Sequence, residues 1–185
     1  MPLKLNTSLY IASGATRDVY THPENPDACI KIEKSSKKAR KQNYRESRFL
    51  ANSSGSSLFP RYFGELKTNL GHGMVVELIR DFNGEISKSL PYYLENGVIS
   101  RQEALAFIDE IKSEVRSNRY LISDAGLSNI LLQKDQNGCF TPKMIDGFGP
   151  KKSNVLYFLR NCIAPMRMYK TNKQLKSMFR NIVKI

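Results

Sequence analysis

The chain contains few of the residues on which metal and disulfide chemistry usually depend. Its 185 residues include two histidines, three cysteines and no tryptophan. The cysteines, Cys29, Cys139 and Cys162, lie far apart and form no CxxC pair, which argues against a structural zinc site and a disulfide framework and fits a reducing compartment. With only His22 and His72 available, a histidine-based triad and zinc catalysis are also disfavoured.

Long apolar runs are absent as well. No run approaches the roughly 18 apolar residues that a membrane-spanning helix needs, and no sustained apolar stretch near the start precedes a small-residue cleavage site. We therefore expect no transmembrane segment and no standard secretory signal. Apolar residues make up 41% of the chain and charged residues 25%, which is typical of a globular protein with one domain or two joined lobes.

Basic residues outnumber acidic ones by 29 to 17, for a net charge of +12. Much of the excess lies in residues 151–185, which contain nine basic residues and no acid, and a second basic run spans Lys34 to Arg48. A basic end predicts a docking surface for an acidic partner, with a solvated face that binds nothing as the alternative. Nucleic acid is disfavoured, because the tail lacks the interleaved aromatic residues that would read bases.

The first 80 residues have the pattern of a strand-rich unit with one helix. Short β-prone runs, separated by glycines or turn-rich segments, predict five strands. The predicted strands are Leu9–Ser13, Asp18–Thr21, Ala28–Glu33, Arg61–Lys67 and Met74–Ile79. A segment that begins after Ser35 or Ser36 and ends near Leu50 is compatible with a helix.

Residues 81–185 carry stronger helix signals. Ser100 and Glu103 form a capping box that opens a helix with apolar residues at helical spacing. Residues 130–133 and 141–145 predict a hairpin around an Asn-Gly turn. A last helix has one apolar face, predicted to comprise Leu175, Met178, Phe179, Ile182 and Val183. The order of elements predicts an α+β fold of two lobes, with a ligand cleft between them.

The strongest chemical signal is a polar loop in which Asp124 precedes Asn129 by five residues. Asp146 follows later at the end of a predicted strand, where Gly147 and Gly149 permit a turn. Two oxygen-donor side chains suit a hard cation such as Mg²⁺, which takes few protein ligands and completes its shell with phosphate and water. The remaining acid can then orient a hydroxyl nucleophile.

These residues resemble the catalytic loop and metal-binding motif of protein kinases, in the forms Asp124-x-x-x-x-Asn129 and Ile145-Asp146-x-Phe148-Gly149. Other kinase elements follow in the expected order. Cys29-Ile-Lys31-Ile resembles the strand with the phosphate-binding lysine, and Glu46 resembles the acid that pairs with it. Ile11–Tyr20 resembles the glycine loop, and Val76–Ile79 resembles the hinge that holds adenine.

More narrowly, the chain resembles the YrbL family of small bacterial kinase-like proteins, which is linked by name to the PhoP regulatory network. The resemblance covers roughly residues 5–150. The supporting motifs are Gly14-x-x-Arg17-x-x-Tyr20-x-His22-Pro23-Glu24, Cys29-Ile-Lys31-Ile32, Arg45-Glu46, Pro60-Arg-Tyr62, Asp81-Phe82-x-Gly84 and the run through Asn129-Ile-Leu131.

The resemblance implies a minimal bilobal protein-kinase-like fold, with a strand-rich N-lobe over residues 1–80 and a truncated helical C-lobe over residues 81–185. It implies transfer of the γ-phosphoryl group of ATP, with Mg²⁺, to a hydroxyl acceptor, most naturally a protein Ser or Thr. The location implied is the bacterial cytoplasm, and delivery into another cell stays open. The implied site residues are Asp124 and Lys31 for catalysis, Asn129 and Asp146 for the metal, and Gly14, Val19, Cys29, Lys31, Glu46, Glu77 and Ile79 for ATP.

Three departures from the kinase pattern keep alternatives open. Only Gly14 remains of the usual three loop glycines, Ile122-Ser123 replaces the His-Arg before Asp124, and only 36 residues follow Gly149. A pseudokinase that binds nucleotide as a regulatory module is one alternative, and a small-molecule phosphotransferase is the other. The intact Lys-Glu-Asp-Asn-Asp set favours an enzyme.

Overall fold

The structure is a computed structural model that describes residues 1–35, 42–149 and 164–184, with the side chains of residues 168–183 in the last range. It divides into two compact units, Met1–Arg80 and Asp81–Ile185, and each contains both strands and helices. The predicted α+β class is confirmed. The start of the first predicted helix and the basic residues between 150 and 163 lie outside the described residues.

The first unit is built on one antiparallel sheet of five strands. The strands are β1 (Tyr10–Ser13), β2 (Arg17–His22), β3 (Asn25–Glu33), β4 (Tyr62–Thr68) and β5 (Gly71–Glu77), in the spatial order β1-β2-β3-β5-β4. One helix, α1 (Gln42–Ala51), belongs to the same unit. The central position of β3 is consistent with the continuous burial of its residues 28–32, because both faces of this stretch are covered.

Two strands begin three residues earlier than predicted, at their hairpin turns. β3 begins at Asn25, which pairs with His22, although this segment is rich in turn residues. β5 begins at Gly71, which pairs with Thr68. Backbone pairing next to a tight turn needs no β-prone side chain, so the ladder continues into sequence that composition assigns to a loop.

Alternation along β3 separates two kinds of side chain. Ala28, Ile30 and Ile32 belong to one buried apolar cluster. Because successive side chains of a strand point to opposite faces, Cys29 and Lys31 lie on the other face of the sheet. Lys31 contacts α1 on that face, and its backbone carbonyl accepts a 2.8 Å hydrogen bond from the Asn43 side chain of that helix.

The second unit contains one hairpin and three described helices, α2 (Leu90–Glu95), α3 (Arg101–Ser117) and α4 (Ala164–Lys184). The hairpin, of β6 (Ile130–Lys134) and β7 (Phe140–Met144), confirms the prediction. So does the start of α3, where Ser100 and Glu103 form both hydrogen bonds of the capping box. No helix was predicted at α2, because a helix of six residues is too short to show a periodic apolar face.

Helix α4 buries a narrower apolar face than predicted. Leu175, Met178 and Ile182 are fully buried, whereas Phe179 is 38% exposed and Val183 is 51% exposed. The prediction is therefore wrong for Phe179 and Val183, which lie at the open edge of the stripe that the other three form at helical spacing. No helix among the described residues is long and apolar enough to cross a membrane.

Candidate functional site

In the first unit, Lys31 of β3 and Glu46 of α1 form a buried ion pair. The distance between Lys31 Nζ and Glu46 Oε1 is 2.5 Å, and the two residues are only 6% and 3% exposed. Burying an ammonium group is costly unless an opposite charge and hydrogen bonds compensate it. The structure thus brings together the lysine and the acid that the kinase resemblance pairs.

A second cation, Arg17 of β2, shares Glu46. Its guanidinium donates to Glu46 Oε2 at 2.6 Å, so each carboxylate oxygen of Glu46 contacts a different cation. Arg17 is only 5% exposed, and its guanidinium also lies 3.4 Å from Asn43 Oδ1. Sequence reasoning assigned no role to Arg17, although the Gly14-x-x-Arg17 motif of the family resemblance was a signal that could have found it.

Gly14 and Val19 lie in the first hairpin of the sheet. The Gly14 N–H donates to the Arg17 carbonyl at 2.8 Å, and the Gly14 carbonyl accepts from Lys34 Nζ at 2.6 Å. Val19 is half-buried and pairs with Lys31 across the ladder. Gly14 does not have a positive φ, and an added Cβ would meet only the Arg17 carbonyl oxygen, at 3.6 Å. The turn itself therefore does not require glycine here.

Cys29, Glu77 and Ile79 lie where β3 and β5 pair. The Cys29 thiol is 3.9 Å from the Glu77 carbonyl oxygen, and burial raises the pKa of this thiol to about 11. The Glu77 carboxylate accepts from the Arg61 backbone N–H at 3.0 Å. Ile79 is 2% exposed and lies beyond the end of β5. Of the residues predicted to hold adenine, Cys29 and Glu77 thus lie on the paired strands β3 and β5, and Ile79 follows β5.

In the second unit, backbone hydrogen bonds join the loop before β6 to the segment after β7. The Asp124 N–H donates to the Gly147 carbonyl at 2.9 Å, and the Ile145 N–H donates to the Asn129 carbonyl at 2.9 Å. The Asp124 side chain is exposed, whereas Asn129 and Asp146 are half-buried. The segments that carry the predicted catalytic acid and both predicted metal ligands are therefore joined directly.

Gly147 makes this approach possible. Its φ is +85°, and a Cβ at this position would lie 1.8 Å from the Asp124 carbonyl oxygen and 3.3 Å from Asn129 Nδ2. Its N–H donates to Asp146 Oδ1 at 2.6 Å. The glycine inserted between Asp146 and Phe148, which departs from the usual kinase motif, is thus a position that no other residue can occupy without moving the backbone.

The donor set in this loop fits a hard cation. Within the described ranges, no group of three His, Cys, Asp or Glu side chains is placed to hold a metal. Asn129 and Asp146 offer an amide oxygen and a carboxylate, and Mg²⁺ is usually bound by one or two carboxylates together with substrate phosphates. The chemistry of these two side chains therefore fits Mg²⁺ better than zinc.

Two side chains of helix α4 form hydrogen bonds with the backbone before and after Asp124. Thr171, which is fully buried, accepts from the Ile122 N–H at 3.2 Å and is 3.4 Å from the Tyr120 carbonyl oxygen. The Gln174 side-chain oxygen accepts from the Ala125 N–H at 3.3 Å. Sequence reasoning missed Thr171 and Gln174, because no local pattern marks contacts between residues 49 positions apart.

Comparison with known proteins agrees with the family resemblance. Residues 3–183 match the family described as PhoP regulatory network protein YrbL. The chain is 27% identical over 159 residues to the Escherichia coli K12 protein named "Uncharacterized protein YrbL". The matched region covers 80% of this chain and 73% of that protein. A protein of the same name from Shigella flexneri gives the same values. The resemblance is confirmed, and the chain belongs to the YrbL family.

Proposed function

We propose that this chain binds ATP with Mg²⁺ and transfers the γ-phosphoryl group to a hydroxyl acceptor. The first candidate for the acceptor is a protein Ser or Thr. The buried pair of Lys31 and Glu46 carries the proposal. Lysine side chains without a specific partner lie at the surface, where water solvates the ammonium group. Lys31, in contrast, is buried, and its ammonium nitrogen lies 2.5 Å from a carboxylate oxygen of Glu46. An ammonium group fixed in this way is a preorganised positive charge for phosphate oxygens.

The other residues of the first unit would bind the nucleotide around Lys31. Gly14 leaves its turn without a side chain, although the turn tolerates a Cβ, so backbone approach to a phosphate is a reason for glycine there. The Cys29 thiol is neutral at physiological pH, as ordinary thiols are, and burial raises its pKa further, to about 11. A neutral thiol suits contact with an uncharged base. The residues assigned to the nucleotide are Gly14, Val19, Cys29, Lys31, Glu46, Glu77 and Ile79.

The second unit would supply the acceptor and metal functions. The exposed Asp124 carboxylate can accept a hydrogen bond from an incoming hydroxyl and orient its oxygen for attack. Asn129 and Asp146 would hold Mg²⁺, which supplies charge neutralisation to the phosphates when bound. Thr171 and Gln174, through their hydrogen bonds to the loop, fix the backbone on both sides of Asp124.

The proposal is tested by thermal shift and by transfer from γ-labelled ATP, with and without Mg²⁺. Asp124→Asn should keep nucleotide-dependent stabilisation and lower transfer by about 10²–10⁴-fold. Asp146→Asn should weaken the Mg²⁺ dependence of binding itself. Asp109→Asn, the same change at an exposed aspartate on α3, should match wild type in both assays.

Three results would each overturn one of these assignments. No shift with millimolar ATP, with or without Mg²⁺, would reject the nucleotide site. Equal transfer by wild type and Asp124→Asn, on any acceptor that works, would remove Asp124 from the mechanism. Label recovered on a small molecule and never on protein would replace the protein acceptor by a small-molecule acceptor.

A nucleotide-binding module without turnover is the second candidate, and one observation favours it. Lys34 Nζ donates to both the Ser13 hydroxyl and the Gly14 carbonyl, at 2.5 and 2.6 Å. A side chain of the protein itself thus holds the turn that would cover the phosphates. Stabilisation by ATP without transfer in the wild-type protein would decide for this candidate.

A further inference from the structure

Helices α3 and α4 line an open groove of about 970 Å³ within the second unit. The lining residues of α4 recur at helical spacing from Tyr169 to Arg180. That stretch of helix is about 16 Å long at a rise of 1.5 Å per residue. An extended peptide of about five residues has the same length.

The groove carries a strong excess of positive charge. Its charged lining consists of Lys112, Arg116, Lys173, Lys176, Arg180 and one acid, Asp109. Asp109 is occupied, because its carboxylate pairs with Lys112 Nζ at 2.7 Å. In the part of the chain that the structure describes, Lys173, Lys176 and Arg180 make no ion pair. Three cations on one helix face are therefore available to an anionic ligand.

Two aromatic side chains lie among these cations, contrary to the expectation from the sequence that the basic tail has no interleaved aromatic residues. Tyr169 is 76% exposed and Phe179 is 38% exposed, and both line the groove. The Lys112 ammonium lies 4.6 Å from the centre of the Phe179 ring. The core residues of α4 are Leu175, Met178 and Ile182, and Phe179 lies at the edge of the stripe that they form. The exposed part of the Phe179 ring and the exposed Tyr169 ring therefore offer apolar contact area in the groove.

We propose that this groove docks an acidic peptide segment of a partner protein, with carboxylates on the cations and an apolar side chain against Phe179. A concave surface about 16 Å long fits a peptide chain, whereas a lipid surface is flat. Residues 150–163 of this chain contain three basic residues and no acid, so their charge is wrong for the groove. The proposal is independent of phosphoryl transfer, because binding alone tests it.

The test is fluorescence anisotropy with a fluorescein-labelled peptide of alternating Glu and Leu. A triple variant, Lys173→Gln, Lys176→Gln and Arg180→Gln, should weaken binding by about tenfold, since three charge contacts with the peptide are lost together. The matched control, Lys4→Gln, Lys67→Gln and Lys88→Gln, removes the same charge from exposed lysines elsewhere and should change binding by less than about twofold. Equal losses in the two triple variants would overturn the proposal in favour of non-specific charge attraction.

Aromatic variants and other anionic probes complete the test. Phe179→Ala should weaken peptide binding, and so should Tyr169→Ala, which changes a mostly exposed side chain and leaves folding intact. Tighter binding of oligo-dT at the same ionic strength would reassign the groove to single-stranded nucleic acid. Tighter binding of phosphatidylglycerol vesicles would reassign it to membranes. A dimer in sedimentation experiments that the triple variant of Lys173, Lys176 and Arg180 abolishes would reassign the groove to a second copy of this chain.

Discussion

Among single residues, Gly147 is under the tightest steric constraint in the second unit. Its Cβ would lie 1.8 Å from the Asp124 carbonyl oxygen, and a backbone atom cannot move aside as a flexible side chain can. Gly84 has nearly the same φ, +84° against +85°, but open space around it. The two glycines therefore separate the cost of a positive φ from the cost of the close contact.

We predict that Gly84→Ala lowers the free energy of unfolding by about 1–2 kcal/mol, the cost of a left-handed backbone. Gly147→Ala should lower it by at least about 3 kcal/mol more, because the clash is added. Urea unfolding followed by circular dichroism measures both values. Equal losses would mean that the two loops do not approach as closely as described.

The buried thiol of Cys29 gives stability a pH dependence. Its pKa is about 11 in the folded protein and about 8.5 in an unfolded chain. Above about pH 8.5 the thiol ionises more readily when unfolded, so its contribution to stability is complete below that pH and is lost as the pH rises toward 11.

We predict that wild type loses about 2 kcal/mol more unfolding free energy than Cys29→Ala between about pH 7 and pH 10. The comparison of the two proteins removes the effect of tyrosines that also titrate in this range. Urea midpoints measured across the pH series give the difference. Parallel curves for the two proteins would contradict the burial of this thiol.

Among the elements, α4 has a structural role that its amino-acid composition does not indicate. Its basic residues suggest a solvated appendage, yet its buried side supplies Thr171 and Gln174 to the Asp124 loop. Thr171 has two backbone partners and no exposure. The helix thus acts as a support for the loop, and Thr171 is a positioning residue in the proposed mechanism.

We predict that Thr171→Val, which keeps the shape and removes the hydroxyl, lowers the free energy of unfolding by about 1–3 kcal/mol because the Ile122 N–H loses its acceptor. Thr171→Ser keeps the hydroxyl and should cost about 1 kcal/mol or less, for the lost methyl group. Urea unfolding gives both values, and amide exchange at Ile122 should accelerate only in the valine variant. Equal costs would show that the hydroxyl contributes nothing.

At the scale of the whole molecule, each of the two units carries residues that the proposed function requires. Lys31 belongs to Met1–Arg80, and Asp146 belongs to Asp81–Ile185. A ligand that binds only the folded chain stabilises it by mass action, by about 2.7 kcal/mol at a hundred times its Kd. For a chain of this size that corresponds to a rise in Tm of about 5–10 °C.

We predict that saturating ATP with Mg²⁺ raises the Tm of wild type by this amount, and that Lys31→Met and Asp146→Asn each reduce the rise to less than about half. The apo Tm of each variant shows whether it is folded. A full rise in both variants would contradict the roles proposed for Lys31 and Asp146.

Much of the architecture was predictable because it rests on local rules. The capping box at Ser100 and Glu103 and the β6–β7 hairpin follow from short motifs that satisfy backbone groups within a few residues. The missed features lie where local rules are silent. α2 is too short for periodicity, and Phe179 fits the apolar period of α4 but lies at its exposed edge.

The sequence by itself determined the family, the α+β class and the residue types available for chemistry, because these depend on motif order and on patterns within single elements. Only the tertiary structure decided that Arg17 shares Glu46 with Lys31, that Gly147 must be glycine, and that Thr171 supports the Asp124 loop. The physical reason is distance along the chain. Contacts between residues 15 to 49 positions apart depend on how elements pack, and no pattern within one element encodes that packing.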